Sequence, residues 1–223
     1  MVNVRVLQLE VSAIGRAATW LPLRLVERSA AFDPNVPHPT PVVFAHGFLG
    51  DRTNFRAVKQ ALAGRGVTNV AYFDYGPRID WPRLATRLGH VVSEVCRETG
   101  VRRVDVVGHS FGGLVARYLV DMAPEAPVRR LVTLGSPYFG SPLPPKELAI
   151  FGEHDPIVPL PHPVYGPHAP HLRPGGRVVV VPDCGHWGLL VHERVTHEVT
   201  RFLTSPDLAL THGDQQRRFD FAS

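Results

Sequence analysis

Lysine is almost missing from this chain: of 24 basic residues only Lys59 and Lys146 are lysines, and the rest are scattered arginines. The net charge is +4, yet no block of like charge forms and no nucleic-acid-binding motif is present, so a basic stripe for nucleic acid is excluded. Cysteine is equally scarce. Two residues, Cys96 and Cys184, cannot build a disulfide framework. Cys96 falls on the apolar stripe of a predicted helix and reads as a buried free thiol; Cys184 reads as a small packing residue. Long apolar runs are missing too: none approaches the ~18 residues a membrane span needs. Gln8 and Glu10 interrupt any apolar stretch near Arg5 and Arg16, so no secretory signal is visible. The expectation is a cytoplasmic chain, with secretion open to one whose leader has been removed.

What is present is an alternation. Short β-branched runs at 41–45, 69–73, 103–107, 129–134, 147–151 and 177–181 are separated by helical patterns, which predicts an α/β fold with a mostly parallel sheet covered on both faces. In 81–98, Trp81, Leu84, Leu88, Val91, Val92 and Val95 recur at helical spacing, and Phe55, Val58 and Leu62 do so in 54–63. A helix after Ser110 carries Leu114, Val115, Tyr118, Leu119 and Met122 before Pro124. A last helix over 189–203 buries Val191, Val195, Val199 and Phe202. The expected division is an N-terminal segment over 1–40 with a helix near 16–30, a main α/β domain over 41–205, and a polar, frayed tail over 206–223.

Gly108-His109-Ser110-Phe111-Gly112 fits G-x-S-x-G and stands between a predicted strand and a predicted helix. That context defines a nucleophile elbow: a strained turn lifts the serine hydroxyl above the sheet, at a helix N-terminus that favours developing negative charge. A serine hydroxyl needs an adjacent base. In this architecture an acid and then a histidine follow in the chain. Asp155 lies just after the strand 147–151 and His186 just after 177–181, both at carboxyl ends of strands, where such sheets gather their sites. Glu153 is an alternative acid and His154 an alternative base; Asp183 reads as a loop or capping residue. For the oxyanion hole, the backbone N–H of Phe111 is one candidate donor. The loop His46-Gly47-Phe48-Leu49-Gly50 supplies the N–H of Phe48 as the other. The Phe48 and Phe111 side chains either line an apolar acyl pocket or belong to the core.

Four motifs carry a resemblance: His46-Gly47-Phe48, Gly108 to Arg117, Leu134-Gly135-Ser136-Pro137-Tyr138-Phe139-Gly140-Ser141, and Gly185-His186-Trp187-Gly188-Leu189-Leu190. Together they resemble bacterial lipases and esterases of the α/β-hydrolase superfamily, from about Pro41 to Leu203. The resemblance implies cofactor-free hydrolysis of carboxylic esters through Ser110, Asp155 and His186. Phe48, Phe111, Tyr138, Phe139 and Trp187 would then meet an apolar acyl chain of a small-molecule or lipid ester. An acyltransferase or a thioesterase with the same triad, and a non-catalytic binding protein on this fold, are the rival readings. Only about a dozen residues separate Gly135 from the next strand, so little or no cap is expected. The stretch 156–174, with His162, His168 and His171, is expected to be a loop at the site's wall, its histidine spacing too irregular for the usual zinc patterns. His192-Glu193-x-x-x-His197 misses the metal spacing by one position, so the two rings diverge. No metal or cofactor is expected.

Overall fold

The computed structural model describes residues 10–11, 32–76, 79–137, 146–160 and 176–206. Six strands form among the described residues: β1 (Val42–Ala45), β2 (Val70–Phe73), β3 (Val104–His109), β4 (Val128–Leu134), β5 (Glu147–Gly152) and β6 (Arg177–Val181). They pair in parallel in the order β2-β1-β3-β4-β5-β6. The four α-helices among the described residues are α1 (Arg56–Ala63), α2 (Trp81–Thr99), α3 (Phe111–Met122) and α4 (Glu193–Thr204). All six predicted strands are present; β6 has the predicted bounds and the ends of the others shift by at most two residues.

Successive strand residues point to opposite faces, and apolar runs therefore feed two layers at once. On one face Val42, Phe44, Val132, Leu134, Leu148 and Ile150 pack with Val58 and Leu62 of α1 and Val195, Val199 and Leu203 of α4. On the other, Val43, Ala45, Val106 and Leu131 pack with Leu84, Leu88 and Val92 of α2 and Val115 and Leu119 of α3. Each fully buried side chain of this kind contributes roughly 1.5–3 kcal/mol. The result is a sheet between two helical layers.

Several expectations change at element ends. Trp81 and Met122 are exposed, because they stand in the first and last turns, where the helices run past the sheet. Cys96 is only half-buried. The last helix starts at Glu193, not 189, because His192 caps it by accepting the Arg194 N–H (3.1 Å); Gly188–Leu190 forms a separate 3-10 turn. Similarly, Asp51 caps a 3-10 turn over Arg52–Phe55, accepting the Thr53 N–H (2.7 Å), and α1 begins only at Arg56. The helix expected near 16–30 and the tail beyond Pro206 lie outside the described residues.

α4 is tied to the sheet through its carboxyl end. Arg130 of β4 donates to the carbonyls of Phe202, Leu203 (3.0 Å) and Ser205 (2.8 Å). Arg129 donates to the Leu203 carbonyl (2.8 Å) and to both carboxylate oxygens of the buried Asp105 (2.9 and 2.6 Å). Burial pushes the Asp105 carboxyl above its ordinary range, against the pull of Arg129. Because these strands run the same way, the loops after β1, β2, β3, β5 and β6 emerge on one edge of the sheet, and Phe48, Ser110, Phe111, Asp155, His186 and Trp187 stand on that edge.

Candidate active site

Ser110 has φ +53 and ψ −123, a strained conformation for a residue with a side chain, and it stands between the last residue of β3 and the first turn of α3. The strain is tolerated because the turn is packed too tightly for any alternative. A Cβ on Gly108 would lie 2.5 Å from Gly113 Cα, and one on Gly112 would overlap the carbonyls of Ala45 and His46. The Ser110 N–H donates to the Leu134 carbonyl (2.8 Å), tying the elbow to β4. Gly47 brings the loop after β1 against this turn: a Cβ there would come within 3.1 Å of Ser110 Cβ.

Asp155 and His186 meet across the loops after β5 and β6. His186 Nδ1 donates to Asp155 Oδ2 (2.7 Å), and both side chains are buried. Asp155 Oδ1 accepts the backbone N–H groups of Ile157 and Val158, each at 2.8 Å, so three donors hold the carboxylate. The bond at Nδ1 leaves Nε2 as the free position of the ring. Ser110 Oγ makes no hydrogen bond with a described side chain, and such bonds often close only once substrate is bound. His109 links the two halves. It is fully buried, its ring centroid is 4.7 Å from that of His186, and its Nε2 faces the His186 carbonyl at 3.2 Å. Burial first, then the neighbouring His186, lowers the His109 imidazole to about 3, so it is neutral and donates from Nε2.

The alternatives separate by geometry. Glu153 is half-exposed, pairs with His154 (3.7 Å) and accepts the Asp183 N–H (3.3 Å), so neither it nor His154 meets His186. Asp183 is a loop residue with φ +53. Cys184 is buried; burial first, then the charges of Glu10 and Asp155, pushes its thiol up to about 12. It is a packing residue, not a thiolate. His192 is a helix cap, and no cluster of three potential metal ligands occurs among the described residues. His162, His168 and His171 lie outside them, as do Tyr138 and Phe139.

Phe111 is partly buried against Tyr75, with ring centroids 5.9 Å apart, so its side chain belongs partly to the core. Phe48 is 49% and Trp187 36% exposed, and Trp187 sits edge-on to His186 at 5.4 Å. Leu49, Ile79, Ile157 and Leu160 are exposed apolar residues on loops of the same edge.

Two residues were missed from sequence. Glu10 accepts the N–H groups of Trp187 (3.0 Å) and Gly188 (2.7 Å), bracing the chain immediately after His186. Tyr75 donates from its hydroxyl to the His46 carbonyl (2.5 Å). Neither lies in a recognisable motif, and the only sequence signal is that Tyr75 follows a predicted strand.

Residues 40–151 match the family model for the alpha/beta hydrolase fold. A triacylglycerol lipase of Pseudomonas fragi is 31% identical over 116 residues, covering 50% of this chain and 39% of the lipase. A lysosomal thioesterase of Xenopus laevis is 26% identical over 124 residues, covering 53% of this chain and 40% of that protein. The matches thus span well under half the length of these curated relatives. In three dimensions the chain is similar to Est1E from Butyrivibrio proteoclasticus, with a TM-score of 0.59 at 20% identity over 76% of this chain and 88% of that one. The parallel sheet, the strained serine at its carboxyl edge and the family match lead to one conclusion: the chain belongs to the α/β-hydrolase family.

Proposed function

We propose that this chain is a serine hydrolase that cleaves carboxylic esters with apolar acyl groups, with residues 41–205 as its catalytic unit. The observation that carries the reading is Ser110 held at φ +53 on the edge where His186 and Asp155 are joined at 2.7 Å. Ser110 Oγ attacks the ester carbonyl and passes its proton to His186 Nε2. Asp155 orients the ring and stabilises the imidazolium. The N–H groups of Phe48 and Phe111 receive the negative charge that develops on the carbonyl oxygen. The tetrahedral intermediate collapses, the alcohol leaves with the proton from His186, and Ser110 carries the acyl group. Water, deprotonated by His186, then attacks the acyl-enzyme and releases the acid.

The half-exposed Phe48 and Trp187 support an apolar acyl chain, as does the surrounding apolar rim of Leu49, Ile157 and Leu160. Tyr138 and Phe139 belong to the same proposed surface on sequence grounds. The lipase relative supports ester substrates. Thioester cleavage is the second reading, favoured by the Xenopus laevis relative and requiring the same groups.

The test is hydrolysis of a chain-length series of chromogenic acyl esters, run beside acyl thioesters, for wild type and Ser110→Ala. The expected result is ester turnover that falls by on the order of 10⁴ or more in the variant. Ester turnover that survives Ser110→Ala would remove the serine mechanism. Thioesters cleaved far faster than matched esters would shift the assignment to the second reading.

A further inference from the structure

Tyr75 follows β2 and takes no part in the relay proposed above, yet it is packed against the loop that carries Phe48. Its hydroxyl donates to the His46 carbonyl (2.5 Å). Its ring stacks on the His46 imidazole, with centroids 4.3 Å apart and planes 12° apart. Its backbone N–H points to His46 Nε2 at 3.4 Å. An imidazole that accepts at Nε2 carries its proton on Nδ1, and Nδ1 faces the Gly47 carbonyl at 2.8 Å. The Gly50 N–H donates to that same carbonyl (3.0 Å). Two donors therefore fix the direction of the Gly47 C=O. A trans peptide is planar, so they also fix the Phe48 N–H, which points the opposite way.

We infer that Tyr75 is the positioning residue of the oxyanion hole: it holds His46, His46 holds the Gly47–Phe48 peptide, and that peptide presents the Phe48 N–H to the developing oxyanion. The inference rests on the serine-hydrolase reading given above. The tyrosine ring also lies against Phe111, whose N–H is the second proposed donor, so one side chain is in contact with both arms of the hole. Burial raises the phenol well above its ordinary value, which keeps its proton available to the His46 carbonyl at working pH.

A misdirected donor weakens binding of the transition state far more than of the neutral ester, because the charge develops only as bonds change. Removing an entire oxyanion donor costs about 10²–10³ in kcat. Tyr75→Phe keeps the ring and removes only the hydroxyl, so kcat should fall roughly ten- to a hundredfold while KM stays within about twofold. Tyr75→Leu, which also loses the stack on His46, should fall further. An alkyl boronic acid, which forms a tetrahedral adduct with a serine, should bind Tyr75→Phe more weakly by about the same factor as the loss in kcat. Thermal unfolding followed by circular dichroism accompanies each variant.

That split, in a folded Tyr75→Phe protein, supports the inference. An unchanged kcat overturns it, as does a KM that rises with kcat intact, or a loss accounted for entirely by the unfolded fraction. Wild-type protein that neither hydrolyses any ester nor reacts with a fluorophosphonate overturns the serine-hydrolase reading itself and the inference with it. That result is distinct from an active wild type that is indifferent to Tyr75.

Discussion

Gly135 stands at the end of β4 with φ +52, and its missing side chain is what lets the Asp155–His186 pair form beside it. A Cβ at that position would lie 3.0 Å from Asp155 Oδ2, 3.2 Å from His186 Nδ1 and 2.8 Å from Leu189 Cδ1. The left-handed backbone alone costs a side-chain-bearing residue about 1–2 kcal/mol. Gly135→Ala is therefore expected to separate the pair: kcat/KM should fall by roughly tenfold or more, and the downfield proton resonance of the imidazole N–H should disappear from the NMR spectrum. A variant that keeps both resonance and rate would show that the packing around Gly135 gives way without cost. The places of Ser110, Asp155 and His186 at the carboxyl edge of the sheet are legible in the sequence because each stands in a local pattern just beyond a readable strand. Tyr75, Glu10 and the His109 contact were not. Their roles depend on how separate loops meet in space, and no local pattern records that.

Elements were legible where burial dictates the pattern and less so where a single cap decides. Valine-rich runs such as Val104–Val107 read as buried strands because both of their faces are covered. At the start of α4, Val191 continues the apolar stripe of the sequence, while His192 imposes the actual boundary through one hydrogen bond. The other end of α4 depends on a contact the sequence does not announce, the Arg130 guanidinium on the last carbonyls. A hydrogen bond to a charged group contributes about 1.5–3 kcal/mol. At about 2–4 °C per kcal/mol in a chain of this size, Arg130→Met should lower Tm by roughly 3–12 °C, with faster amide exchange confined first to α4. Equal loss of protection throughout the sheet would mean that α4 is not the weak point.

For the molecule as a whole, buried neutral histidine makes stability depend on pH. His109 is lowered to about 3 in the folded protein from an ordinary value of 6.5. Between those values the unfolded chain binds a proton that the native state refuses, so stability rises with pH and is lost as pH falls below about 6.5. His192, lowered chiefly by burial, acts in the same direction. Urea unfolding followed from about pH 7 to about pH 5 should show stability falling by up to about 1.4 kcal/mol per unit for one such histidine. His109→Asn should flatten the slope. A wild-type slope of zero would mean that His109 protonates in place.

Strand order also bears on how the molecule is made. After β1 and β2, every later strand joins the growing edge in the order in which it leaves the ribosome. On the serine-hydrolase reading the elbow is complete with β3 and α3 and Asp155 follows β5, but His186 arrives only after β6, 76 residues after Ser110. At synthesis rates of about 5–20 residues per second, the proposed nucleophile is made roughly 4–15 s before the proposed base. On that reading a ribosome-bound chain stays chemically silent until β6 docks, and reactivity switches on as β6 joins the sheet.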